Sequence, residues 1–174
     1  QSSEDPTLAN SVNRYKTAAY TIERPLHLGA AVAGADAALI KGFGGYGRDI
    51  GIAFQLRDDQ LGVFGDPEIT GKPAGDDLRE GKRTVLLSLA LQRADEKDPA
   101  SAKVLRSLIG NTEDPAEIAQ MAQIIADSGA PQMLEEQISA LTESGLGHLR
   151  KAHVDPAVTE TLEALAIKST ARRM

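Results

Sequence analysis

Two adjacent carboxylates, Asp58 and Asp59, lie within an otherwise apolar stretch of the sequence. The apolar residues around them recur at close to a helical period, which predicts that both aspartates lie on a helix. Gln55 and Gly62 fall on the same face of that helix, at spacings of three or four residues from the aspartates. Because buried carboxylates without a counter-charge are costly, this face needs a cation nearby.

The stretch that follows the aspartates supplies cations. Its sequence, GKPAGDDLREGKRT over residues 71–84, places Lys72 and Lys82 among glycine and proline turn signals. Mg²⁺ prefers hard oxygen ligands, and proteins usually hold it through one or two carboxylates together with substrate phosphates. The helix and the loop together therefore predict a site for Mg²⁺ and a diphosphate.

The elements that must position these residues are predicted to be helices throughout. Aromatic residues make up only 3% of the 174 residues, so the core must consist mainly of Ala, Leu, Ile and Val, and no stretch alternates convincingly as a strand would. A first helix, from about residue 10, is expected to end before Pro25. After an irregular loop from Asp66 to Gly81, further helices are expected at about 83–94, 99–109, 115–127, 130–152 and 156–170.

The composition excludes several classes of protein. A formal net charge of −6 argues against a general nucleic-acid binder, which would show a basic patch. No apolar run approaches the roughly 20 residues that a membrane-spanning helix needs. The sequence contains no cysteine, which excludes disulfides and cysteine–metal sites. We expect a single domain over residues 1–174 and a cytoplasmic location.

Three motifs resemble those of the polyprenyl diphosphate synthases, the trans-isoprenyl transferases that make geranyl, farnesyl and geranylgeranyl diphosphates. FQLRDDQLGVFGD, residues 54–66, is similar to the family's second aspartate-rich motif, and residues 71–84 are similar to the loop that follows it. The run YKTAAYT, residues 15–21, is similar to the family's KTA helix. The resemblance implies an all-α isoprenoid synthase helical bundle, of which this chain is the C-terminal half. It also implies one long helix from near Leu26 to Val63, whose glycines permit close helix packing.

The resemblance also implies which residues form the site. Mg²⁺ would be held by Asp58 and Asp59, which form the catalytic set together with Lys16. The residues implied to bind the substrate diphosphates or to support their pocket are Lys16, Thr17, Gln55, Lys72 and Lys82. In the family's reaction, metal ions and lysines neutralise the charge that grows on the leaving diphosphate.

Gly62 departs from the family pattern. It stands where the Asp-Asp-x-x-Asp motif commonly has its third aspartate, so the resemblance is to an Asp-Asp-x-x-Gly variant of actinobacterial type. Asp66, one turn further on, is expected to cap or turn the end of this helix instead of supplying the missing carboxylate. For Asp76, Arg79 and Glu80 the alternatives are ion pairs within the loop and a solvated face, of which the solvated face is preferred.

The implied function is that of a Mg²⁺-dependent prenyltransferase, which condenses an allylic prenyl diphosphate with isopentenyl diphosphate to a product of farnesyl or geranylgeranyl type. The family's first aspartate-rich motif has no counterpart in this sequence, so we expect a fragment that is inactive alone. The resemblance further implies a homodimer. Two alternatives stay open: a non-catalytic regulatory subunit of such a synthase, and a protein like the class I terpene cyclases.

Overall fold

The computed structural model of the chain describes residues 14–71 and 73–171. Within these residues the structure is helical and contains no strand, which confirms the predicted all-α class. A π-helix at Arg14–Glu23 continues directly into α1 at Arg24–Val32. The helices that follow are α2 (Ala37–Phe64), α3 (Pro67–Thr70), α4 (Asp76–Arg79), α5 (Val85–Lys97), α6 (Pro99–Leu108), α7 (Pro115–Ser128), α8 (Ala130–Lys151) and α9 (Pro156–Thr170).

The predicted end of the first helix before Pro25 agrees with the π-helix, which ends at Glu23, whereas its predicted start near residue 10 lies outside the described residues. Pro25 does not interrupt the chain there, because it lies in the first turn of α1, where its missing N–H removes no helical hydrogen bond. The long helix predicted from Leu26 to Val63 is interrupted between α1 and α2. Gly34 adopts a left-handed φ of 74° there, and the Asp36 carboxylate accepts the N–H of Leu39 at 2.8 Å to begin α2.

An Asp-Pro pair begins four of the helices. The aspartate side chain accepts a backbone N–H of the first turn, and the proline takes a position that needs no hydrogen-bond donor. The capping residues are Asp66, Asp98, Asp114 and Asp155. The predicted starts of α6, α7 and α9 are thereby confirmed. Asp66, expected at the end of the preceding helix, instead caps the start of α3. The prediction of an irregular loop up to Gly81 is wrong in part, because α3 and α4 form within it.

The chain divides into two compact units. One contains Asp58–Glu135, and the other contains the described parts of Asn10–Arg57 and Glu136–Arg172. In the first unit, α5 packs against α6 and α7. The side chains of Val85, Leu86 and Ala90 are fully buried, as predicted for the inward face of α5. The single domain expected over the whole chain stays a prediction.

The second unit has a core of its own. Phe43, Tyr46 and Ile50 of α2 are buried together with Leu146 and Leu149 of α8. Within the described ranges, no helix is both long and apolar enough to cross a bilayer.

Glycines bring helices close together in this second unit. A Cβ added to Gly45 would lie 2.5 Å from the His148 ring, and one added to Gly145 would lie 2.8 Å from Ile50. A Cβ on Gly47 would come within 2.7 Å of the backbone of Glu23. The prediction that these small residues allow close packing is therefore confirmed, and α2 continues through them without a break.

Candidate functional site

Asp58 and Asp59 lie near the end of α2 in different surroundings. The Asp58 side chain is exposed, whereas Asp59 is only 4% exposed. The Asp59 carboxylate accepts the backbone N–H of Val85 at 3.1 Å, across 26 residues of sequence. This bond ties the end of the loop to the aspartate pair.

The same bond helps to begin α5. The first four N–H groups of a helix have no partner within the helix and need acceptors from elsewhere. Asp59 accepts the N–H of Val85, the first residue of α5, and the hydroxyl of Thr84 accepts the N–H of Leu87 at 3.1 Å. A carboxylate of the predicted metal site therefore also caps a buried helix.

Asp77 fills the space beside Gly62. Gly62 lies one helical turn after Asp58, on the same face of α2. A Cβ added to Gly62 would overlap the Asp77 carboxylate, whose residue is 8% exposed. The position at which the family motif commonly has its third aspartate is thus occupied from the loop.

Lys82 is bound to Asp77. Its ammonium lies 2.5 Å from Asp77 Oδ1 and 2.9 Å from Glu80 Oε2. The hydrogen bond to Asp77 raises the pKa of Lys82 above its usual range, Glu80 adds to this effect, and partial burial opposes it. Lys82 therefore remains a cation throughout the neutral pH range.

A pair of glycines fixes the loop that carries Lys82. Gly81 has a φ of 64° and Gly110 a φ of 69°, and a Cβ on either would lie 3.1 Å from the Cα of the other. The carbonyl of Leu78 accepts the N–H of Gly110 at 2.9 Å and that of Gly81 at 3.2 Å. The loop end is thus held against the segment that follows α6.

The charged residues of the loop form ion pairs, and the solvated face preferred for them describes only Glu80, since Asp76 and Arg79 are partly buried. Arg79 lies 3.9 Å from Asp76, and Lys82 pairs with Glu80. Asp77 is not among the site residues predicted from the sequence. The sequence offers two adjacent acids here, and the short helix α4 determines which of them turns inward.

The remaining predicted site residues are either not described by the structure or belong to the second unit. Lys16 and Thr17 belong to the π-helix, but their side chains lie outside the described parts of the structure, and Lys72 lies outside the described residues. Gln55 is half-buried on α2. Asp58, Asp59 and Lys82 are in the first unit, whereas Lys16, Thr17 and Gln55 are in the second. Their convergence on one substrate stays a prediction.

These features belong to a known class of protein. The family model described as polyprenyl synthetase matches residues 6–127, and the chain belongs to this family. The family and the all-helical fold inferred from the motifs are thereby confirmed. The match also favours the transferase over the terpene cyclase alternative.

Individual relatives agree with this assignment. The geranylfarnesyl diphosphate synthase of Aeropyrum pernix is 46% identical over 96 residues, which are 54% of this chain and 30% of that protein. A crystal structure of geranylgeranyl pyrophosphate synthase from Corynebacterium glutamicum, complexed with isoprenyl diphosphate and magnesium, is 59% identical with a TM-score of 0.96. A polyprenyl synthase from Caulobacter crescentus CB15, complexed with calcium and isoprenyl diphosphate, is 31% identical with a TM-score of 0.84.

The chain spans about half the length of these solved relatives. The match covers 98% of this chain and 48% of the Corynebacterium chain, and 99% of this chain and 52% of the Caulobacter chain. The fold assignment therefore extends over nearly the whole chain, whereas the reaction of a complete synthase is a matter of proposal.

Proposed function

We propose that this chain belongs to a Mg²⁺-dependent prenyltransferase that condenses an allylic prenyl diphosphate with isopentenyl diphosphate, to a product of farnesyl or geranylgeranyl type. The observation that carries the proposal is the aspartate pair at the end of α2. Asp58 is exposed, and Asp59 is buried and bonded to the start of α5. The similarity to the Corynebacterium enzyme, whose crystals contained magnesium and isoprenyl diphosphate, supports it.

The chemistry of the donor set fits Mg²⁺. The described part of the chain contains no cluster of three or more Asp, Glu or His side chains that could enclose a metal ion. Mg²⁺ needs no such cluster, since it takes one or two carboxylates and completes its coordination with water and substrate phosphates. Asp58 and Asp59 would hold the ion, which when bound would neutralise charge on the leaving diphosphate.

Lys82 contributes a permanent positive charge to this site. Asp77 and Glu80 account for two of the three N–H donors of its ammonium, which leaves one donor for a diphosphate oxygen. Stabilising the charge on a departing group by a pre-positioned cation lowers the barrier to its departure. Lys16 and Lys72 are proposed to act in the same way, on the basis of the family resemblance.

A product assay on the protein as expressed from its gene tests the proposal. Labelled isopentenyl diphosphate, an allylic diphosphate and Mg²⁺ are expected to give a labelled prenyl diphosphate, whose length identifies the product. Asp58→Asn is expected to lower kcat/KM roughly a hundredfold, because a charge that acts on the transition state is lost. Asp114→Asn is the matched control: it removes one carboxylate from the cap of α7 and should leave kcat/KM unchanged.

Two results would contradict the proposal. An expressed protein that gives no product would exclude the synthase, and unchanged activity of Asp58→Asn would exclude this site. The regulatory-subunit alternative predicts diphosphate binding through Asp58 and Asp59 with product formed only after a catalytic partner is added. Three expectations stay predictions: that the protein is a homodimer, that it is cytoplasmic, and that this chain is a fragment without activity of its own.

A further inference from the structure

Gly62 and Asp77 compete for one space at the end of α2. Any side chain at position 62 would place its Cβ on the Asp77 carboxylate, with Oδ2 as the nearest atom. Asp77 has a short side chain and is 8% exposed, so it has little room to rotate away. The glycine is therefore what allows Asp77 to lie against α2.

Asp77 holds Lys82 at both its backbone and its side chain. The Asp77 carbonyl accepts the Lys82 N–H at 3.0 Å, and its carboxylate binds the Lys82 ammonium at 2.5 Å. Gly81, with its left-handed φ of 64°, turns the chain so that both bonds can form.

Glu80 is the weaker of the two partners of Lys82. Its side chain is 53% exposed, compared with 10% for Asp77. Exposed ion pairs contribute little, because water and salt screen them. The position of the ammonium is therefore determined mainly by Asp77.

We propose that Asp77 is a positioning residue. Its carboxylate lies in the space left by Gly62 and holds the Lys82 ammonium beside Asp58, where the ammonium can bind a substrate diphosphate. The inference rests on the proposed function, since it assumes that the site binds a diphosphate. Gly62 and Asp58 are about 6 Å apart on one helical face. A carboxylate from the loop thus occupies the place of the motif's third aspartate, and its task is to hold a cation.

Calorimetric titration of the whole chain with inorganic diphosphate in the presence of Mg²⁺ tests this role. Asp77→Asn keeps the shape of the side chain and is expected to weaken binding about tenfold, because a charge-assisted hydrogen bond to Lys82 is lost. Asp76→Asn, the same change at the neighbouring aspartate, which lies 3.9 Å from Arg79 and does not contact Lys82, is the matched control and should change affinity less than about twofold. In a Lys82→Gln background, Asp77→Asn should cause no further loss, whereas a merely structural role would persist there.

The shared space is tested by a second pair of variants. Gly62→Ala is expected to weaken diphosphate binding by displacing Asp77, and to have no further effect when Asp77→Ala has already removed the carboxylate. Circular dichroism and the thermal midpoint of each variant would be measured to check that it is folded.

The outcomes separate this inference from the proposed function. A wild-type chain that does not bind diphosphate would overturn both. A wild-type chain that binds, with unchanged affinity in Asp77→Asn or with a loss that persists in the Lys82→Gln background, would overturn the positioning role alone.

Discussion

Asp58 and Asp59 are neighbours of the same residue type, and their surroundings give them different tasks. Asp59 is buried and accepts the N–H of Val85, so it anchors the loop to α2. Asp58 is exposed on the same helix. The motif predicts a carboxylate pair, and the burial of each side chain distinguishes its two members.

The burial of Tyr46 leads us to expect that the protein loses stability as the pH rises above about 10. It is 3% exposed in the core of the second unit, its hydroxyl donates to the Leu162 carbonyl at 2.7 Å, and burial raises its pKa to about 12. Because this lies above the value of about 10 in an unfolded chain, the protonated phenol contributes stability below pH 10, which is lost as the pH rises towards 12. Tyr46→Phe should cost about 1 kcal/mol at pH 7.

Urea unfolding between pH 7 and pH 11 measures this effect. The difference in the free energy of unfolding between wild type and Tyr46→Phe is expected to shrink above about pH 10. Tyr20→Phe serves as the control, since Tyr20 is 66% exposed and the variant keeps its ring over Arg24. A difference that stays constant over the whole pH range would show that Tyr46 does not titrate in this way.

At the scale of the helices, the glycines of α2 are needed for packing. Gly47→Ala places a methyl group within 2.7 Å of the Glu23 backbone, which cannot rotate aside, so a loss of roughly 1–3 kcal/mol is expected. Among the described residues, no atom outside the backbone of α8 lies within 4 Å of a Cβ added to Gly147. Gly147→Ala should therefore gain up to about 1 kcal/mol from helix propensity alone.

Thermal or urea unfolding of the two variants checks this contrast. Opposite signs are expected for the same chemical change in two helices of one unit. If both substitutions stabilised the protein, propensity would dominate, and the close approach at Gly47 would have no energetic weight.

Helix boundaries show what the sequence could and could not reveal. The Asp-Pro starts of α6, α7 and α9 were predictable because a cap is a local signal. The break between α1 and α2 was missed, although Gly34 and Asp36 are the local signals for it. The glycines of α2 lower its intrinsic helix propensity, yet the helix is continuous through them, so tertiary contacts outweigh propensity there.

At the scale of the whole molecule, the missed parts of the site are its long-range contacts. The adjacent pair Asp58 and Asp59 could be recognised from the sequence alone. Two contacts form only when the loop folds back onto α2. They are the hydrogen bond from the Val85 N–H to Asp59 and the packing of Asp77 against Gly62. No local pattern encodes such a contact between residues far apart in sequence.

Exposed apolar side chains predict that the chain associates with itself. On α1, Leu28 is 68% exposed and Val32 is 83% exposed, and burying such surface is favourable. Sedimentation should therefore show species heavier than the 18.4 kDa monomer. Val32→Glu is expected to shift the distribution towards monomer, whereas Val158→Glu, at a less exposed site on α9, should have a smaller effect. A single monomeric species in the wild type would contradict this expectation.

The division into units has a consequence for biosynthesis. The described residues of the first unit all lie between residues 58 and 135, whereas those of the second unit lie both before and after that segment. Because a ribosome releases the chain from its N-terminus, the described contacts of the first unit can form before those of the second are complete. The face of α2 around Gly45 then stays uncovered until His148, which packs against it, has emerged from the ribosome. A nascent chain that has emerged from the ribosome as far as Glu135 thus contains the described residues of one unit together with an uncovered helix face, which chaperones would have to cover.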